Sequence, residues 1–172
     1  MKYRVIKKQN MSPDCFVCGI NNTFGLRAKF YECEREDKEQ VLLCVFTTHN
    51  FHQSYPERLH GGITSTILDE AIGRAINILH PDDIWGVTID LNVKFRKPVP
   101  LEQTLYCETK ITKETHRSFE GEGALILQDG TVCATATGKY LILDPKKIST
   151  EDVTEENWFY QDEELPKEII IG

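Results

Sequence analysis

At 172 residues the chain fits one domain with room for a proper hydrophobic core. Hydrophobic residues make up 40% and charged residues 27%; the net charge of -7 argues against non-specific nucleic-acid binding but leaves a local basic patch for an anionic ligand open. The first residues lack the apolar core of a secretion signal and no apolar run is long enough to span a membrane, so a cytoplasmic protein with free thiols at its six cysteines is expected.

Residues 1–14 are polar and basic and read as a flexible or edge segment. Cys15-Phe16-Val17-Cys18-Gly19 follows. Zinc needs four ligands, and no second pair at ligand spacing appears; His49 and His52 are unpatterned. No helix pattern follows the pair as a thioredoxin-like site requires. The cysteines therefore read as small apolar fillers of a turn, and no metal is expected. Leu26, Ala28 and Phe30 alternate with polar residues in a first strand running to about Glu34. A charged turn leads to a second strand over Val41–Thr48. His49–Arg58 is an irregular loop delivering the chain to a helix, and loops there often carry function, which makes His52, Gln53 and Ser54 candidates.

Residues 58–79 hold the one long helical pattern. Ile63, Ile67, Leu68, Ala71, Ile72, Ala75, Ile76 and Leu79 form a broad apolar face. Gly62, Ser65, Thr66, Asp69 and Gly73 form a second stripe, so that Asp69 projects into a small-residue groove. The His60-Gly61-Gly62 start leaves backbone N–H groups free at the positive end of the helix. One carboxylate plus an array of backbone donors is the minimum kit for attack on an activated carbonyl. The helix stops at His80-Pro81-Asp82-Asp83. Trp85–Phe95 then alternates, with Val87, Ile89, Leu91, Val93 and Phe95 on one face and Thr88, Asp90, Asn92 and Lys94 on the other. Further strands are predicted over Thr104–His116, Phe119–Leu127 and Val132–Leu143, the last carrying small residues at 134–138 where something bulky packs close. The acidic tail, 144–172, contains the clusters Trp158-Phe159-Tyr160 and Ile169-Ile170-Ile171. The fold expected is α+β, a long central helix wrapped by a curved antiparallel sheet.

The helix motif His60-Gly61-Gly62-Ile63-Thr64-Ser65-Thr66-Ile67-Leu68-Asp69-Glu70-Ala71 and the leader Cys15-Phe16-Val17-Cys18-Gly19 … Gly25-Leu26 resemble the hotdog-fold acyl-CoA thioesterases of the phenylacetate-pathway and thioesterase-superfamily type. The resemblance covers residues 15–143, between an N-terminal segment, 1–14, and the tail, 144–172. It implies hydrolysis of an acyl-CoA, with Asp69 as base or nucleophile, the Gly61 N–H as oxyanion donor, Thr88 orienting the water and Ser54, with Gln53 beside it, assisting from the loop. Ser54-Tyr55-Pro56-Glu57 stands where the family form has Gly-Tyr-Pro-Gly. His60, Gly62 and Thr66 are expected at the substrate groove, His60 also capping the turn, and Lys94, Arg96, Lys97 and Arg117 near the phosphates of CoA, which enters as part of the substrate and not as a cofactor. Glu70 is the runner-up acid, about 100° round the helix from Asp69. Gly61 and Asp69 lie eight residues apart, roughly 12 Å along a helix axis, too far to serve one reacting carbon, so composite sites in a homodimer, able to pair into a tetramer, are expected. No nucleic-acid or membrane partner is expected. Two rivals remain: a non-catalytic acyl-CoA or lipid-binding protein, and a hydroxyacyl dehydratase using His52 or His60 with Glu70.

Overall fold

The computed structural model describes residues 1–81, 84–149, 158–159 and 163–172. The helix motif forms α1, Gly61–Arg74, continued by a 3-10 turn over Ala75–Ile78. The expected apolar face is buried: Ile67, Leu68, Ala71 and Ile72 are fully enclosed, and Ala75 and Ile76 nearly so. Leu79, placed on that face by the periodicity, is 52% exposed, because the helix has tightened and ended before it. Asp82 and Asp83 of the expected helix stop lie outside the described residues.

Around α1 runs one antiparallel sheet of β1 (Lys2–Lys8), β2 (Lys29–Arg35), β3 (Gln40–Thr47), β4 (Trp85–Phe95), β5 (Thr104–Glu114), β6 (Ser118–Leu127), β7 (Val132–Leu143) and β8 (Glu168–Ile170), in the order β4-β7-β6-β5-β3-β2-β1-β8. A single turn of helix, Pro145–Ile148, follows β7. The α+β hotdog architecture expected from the sequence is the one observed. The helix sits close on the sheet because β6 faces Ile72 with two glycines: a Cβ added at Gly121 would fall 2.7 Å from Ile72 Cγ2, and one at Gly123 3.2 Å from Ile72 Cγ1.

Both chain ends contribute strands that the sequence pattern does not predict. Residues 2–8 are β1, second from the sheet edge, paired to β2 on one side and β8 on the other. Ile171 is fully buried with Tyr3, Leu43 and Tyr106 in a second apolar cluster on the outer face of the sheet. Lys8, also fully enclosed, meets Glu163 at 2.8 Å. Local periodicity misses these strands because they are short, charged and paired across almost the whole chain length. Of the tail cluster at 158–160, Tyr160 lies outside the described residues; Trp158 packs on Trp85, ring centroids 5.3 Å apart.

β4 brings a further correction. Its register against β7 slips between Thr88 and Asp90, leaving Ile89 as an extra residue. Such a bulge reverses the facing of everything on one side of it. Leu91, Val93 and Phe95 face α1, paired with Gly138, Ala136 and Ala134; past the bulge Thr88, opposite Tyr140, faces α1 as well. Strict alternation had put Thr88 with Asp90 and Lys94 on the opposite face. Among the described residues no helix is long and apolar enough to cross a membrane.

Candidate active site

Asp69 lies on the helix face turned to β4 and β7. Its Oδ1 accepts a hydrogen bond from the Thr88 hydroxyl at 2.8 Å and from the Tyr140 hydroxyl at 3.1 Å. The Tyr140 hydroxyl also lies 2.9 Å from the Asp69 carbonyl oxygen, which ties side chain and backbone to one donor. Among the described residues nothing bonds Oδ2. Burial, and after it the charge of Asp69, pushes the Tyr140 hydroxyl pKa up, so it stays a proton donor. The Tyr140 ring stacks on Phe119, centroids 4.9 Å apart and planes 9° from parallel. Gly73 admits it: an added Cβ there would fall 3.1 Å from Tyr140 Cε1. Asp69, Glu70, Gly73, Thr88, Tyr140 and Trp158 are among the walls of a cavity of about 210 Å³. Sequence reasoning missed Tyr140. The signal was Gly73, one turn past the acid, since a glycine in mid-helix calls for a bulky neighbour.

At the start of α1, His60 Nδ1 accepts the Gly62 N–H at 2.9 Å, and the His60 carbonyl accepts the N–H groups of Ile63 and Thr64 at 3.0 and 3.1 Å. Among the described residues no acceptor faces the Gly61 N–H. Thr66 turns its hydroxyl back to the Gly62 carbonyl, 2.9 Å away. The loop before the helix is held from inside. His52, 2% exposed, accepts the His49 N–H at Nδ1 and donates from Nε2 to the Phe24 carbonyl at 2.9 Å. Gln53 Oε1 accepts the Glu57 N–H, and the Ser54 N–H donates to the Arg58 carbonyl. Glu57 has φ of 64°, the left-handed region that favours glycine. Glu57 takes this conformation at the position where the resembled Gly-Tyr-Pro-Gly form has its last glycine. Ser54 is exposed on this loop.

The expected cations divide. Lys94 and Arg96 line a groove of about 380 Å³ with Glu108, Lys110, Glu122 and Thr135 on the outer face of the sheet, away from Asp69. Arg96 Nε donates to the Thr135 hydroxyl at 3.3 Å. Lys97 follows β4 at the Phe95 end, its N–H bonded to the Cys133 carbonyl. Arg117 sits in the β5–β6 turn, beside the Ser118–Leu141 pair and so at the Tyr140 end. Within one chain these four do not gather at Asp69. Glu70 is bound to Arg74 Nε at 2.8 Å and both ring nitrogens of His52 are engaged, so within one chain His52 and Glu70 do not form the pair that would imitate a dehydratase.

Residues 57–134 match the family model described as the thioesterase superfamily. The acyl-coenzyme A thioesterase THEM4 of Bos taurus is 26% identical over 149 residues, 86% of this chain and 59% of that protein. An uncharacterized protein of Schizosaccharomyces pombe is 30% identical over 126 residues, 71% of this chain and 69% of that one. Against the rat and mouse forms of THEM4 the chain spans 47% and 41% of their length. Among solved structures, the thioesterase superfamily protein RHA08564 superposes with a TM-score of 0.64 at 22% identity, covering 75% of this chain and 60% of that one. The BH2602 protein of Bacillus halodurans, solved with CoA, gives a TM-score of 0.54 at 28% identity, covering 59% of this chain and 66% of that one.

Proposed function

We propose that the chain, whose residues 57–134 match the thioesterase superfamily, hydrolyses the thioester of an acyl-CoA to a free acid and CoA. The observation that carries this reading is the Asp69 carboxylate in the cavity wall, clamped at Oδ1 by Thr88 and Tyr140 and with nothing bonded to Oδ2 among the described residues. A carboxylate held this way needs no rearrangement before it acts. Its open oxygen removes a proton from water as that water attacks the carbonyl carbon, or attacks the carbon itself. The developing oxyanion is met by the Gly61 N–H, reinforced by the positive end of α1.

Donor and base come from different copies. Eight residues at about 1.5 Å each separate Gly61 from Asp69 by roughly 12 Å. β4 is the edge strand of the sheet, and it exposes Val87, Ile89 and Phe95 at 37%, 55% and 60%. An apolar edge of this kind invites a second strand. Gly61 lies against Phe95 at one end of β4 and Asp69 against Thr88 nearer the other. Two β4 strands paired antiparallel carry the Gly61 of each chain towards the Asp69 of its partner. The same pairing moves the partner's Lys97 from the Phe95 end towards the mouth of the site, where the phosphates of CoA need a cation. CoA in the solved structure of the BH2602 protein supports the choice of substrate.

Turnover against a panel of acyl-CoAs, followed by release of free thiol, tests the reading. Asp69→Ala is expected to lower kcat by about 10²–10⁴-fold while circular dichroism and subunit mass stay as in the parent chain. Undiminished turnover in that variant contradicts the assignment.

A further inference from the structure

The Cys15–Cys18 pair takes no part in the hydrolysis described above, yet its surroundings are more than those of a filled turn. The Gly19 N–H donates to the Cys15 carbonyl at 2.8 Å, closing one helical turn around the pair. Only glycine fits at the closure: an added Cβ would fall 2.4 Å from the Cys15 oxygen and 2.5 Å from the Pro13 oxygen. The sulfurs of Cys15 and Cys18 and a carboxylate oxygen of Glu70 all lie within 4.8 Å of one another. Cys18 is 1% exposed and Cys15 is half-buried, so one sulfur is reachable from outside and its neighbour is not.

Arg74 supplies the cation of this cluster. Its Nη2 lies 3.3 Å from Cys18 Sγ, its Nε 2.8 Å from Glu70, and its Nη1 2.8 Å from the Asn10 carbonyl. The guanidinium is clasped between the Phe30 and Trp158 rings, 4.5 and 4.8 Å from their centroids. Backbone N–H groups of Val17 and Ser12 point at Cys15 and Cys18 from 3.3 and 3.4 Å. The hydrogen bond from the Cys18 thiol draws the Cys15 pKa down, while that bond and burial push Cys18 up. One sulfur is thereby poised as thiolate and the other as thiol.

We propose that Cys15 and Cys18 are a redox-active dithiol, oxidised to an intramolecular disulfide by low-molecular-weight disulfides. The Cys15 thiolate attacks one sulfur of the external disulfide, forms a mixed disulfide and releases one thiolate. Cys18 passes its proton to that thiolate, Arg74 facing the sulfur that gains the charge. The Cys18 thiolate then attacks Cys15 Sγ and expels the second external thiolate. One external disulfide has been reduced to a thiol and a thiolate, and one protein thiol and thiolate oxidised to a disulfide. Oxidation also takes from Arg74 Nη2 its sulfur acceptor, on the wall that Arg74 and Glu70 share with Asp69.

The test needs no enzymatic activity. Reduced full-length chain is incubated with glutathione disulfide, quenched in acid, alkylated and mapped by peptide mass. A Cys15–Cys18 disulfide is expected, with Cys33, Cys44, Cys107 and Cys133, none more than 1% exposed, recovered as thiols. Cys18→Ser is expected to stop at one glutathione bound to Cys15, and Cys15→Ser to react about tenfold more slowly or less. Recovery of both cysteines as free thiols from the parent chain overturns the proposal. So does zinc bound at one equivalent per chain with both sulfurs unreactive.

Discussion

The two carboxylate oxygens of Asp69 sit in different surroundings, and the proposed chemistry depends on that difference. Oδ1 takes both hydroxyl donors, which fixes the plane of the carboxylate and leaves Oδ2 unbonded among the described residues. Hydrogen bonds to a charged acceptor are worth about 1.5–3 kcal/mol when removed. Tyr140→Phe deletes one such bond and keeps the ring on Phe119 and Gly73. Its kcat is expected to fall about tenfold with KM little changed, because the bond positions Asp69 and does not hold substrate; steady-state kinetics check it. The places of Asp69 and Gly61 on α1 are legible in the sequence because helical spacing and the Gly-Gly start are local. Tyr140 is not, since it lies 71 residues from Asp69 and reaches it only once β7 is laid against the helix.

At the scale of the element, the bulge in β4 decides whether Thr88 meets Asp69 at all. Sequence alternation runs unbroken through Val87, Ile89 and Leu91, so nothing local marks the inserted residue. The run looks regular because Val87 and Ile89 are apolar for a separate reason: they belong to the exposed edge of β4. Deleting Ile89 removes the extra residue, and in the regular strand that results Thr88 still falls on the α1 face with Leu91 and Val93. The deletion variant is therefore expected to keep the hydrolysis that Thr88→Val loses, with the thermal transition still cooperative. A deletion variant as impaired as Thr88→Val would show that the bulge sets more than the facing of Thr88.

The whole molecule closes through its ends. β8 completes the sheet beside β1, and Ile171 is fully enclosed against Tyr3 and its neighbours on the outer face. Ile171→Ala leaves a cavity there and is expected to cost about 2–5 kcal/mol, measured by urea unfolding, without a change in the hydrolytic KM. These ends defeat a local reading for a physical reason. A three-residue strand has no period of its own, and the isoleucines of the tail declare an apolar surface without naming what covers it. The helix, the core of the sheet and the acid need only short-range pattern, and those were legible.

The claim on which the functional account rests is that Gly61 and Asp69 act across two chains. Proline is well tolerated at the first position of a helix, and His60 already has the extended ψ of 132° that suits a residue before proline. Gly61→Pro therefore removes the donor and leaves α1 in place. Gly61→Pro and Asp69→Ala homodimers are each expected to be nearly inactive. A heterodimer of the two, isolated through different tags, carries one intact site and one lacking both groups, so it is expected to recover about half the turnover of the parent dimer. A heterodimer as inactive as its parents, or a monomer that hydrolyses acyl-CoA at the full rate, would contradict the composite site.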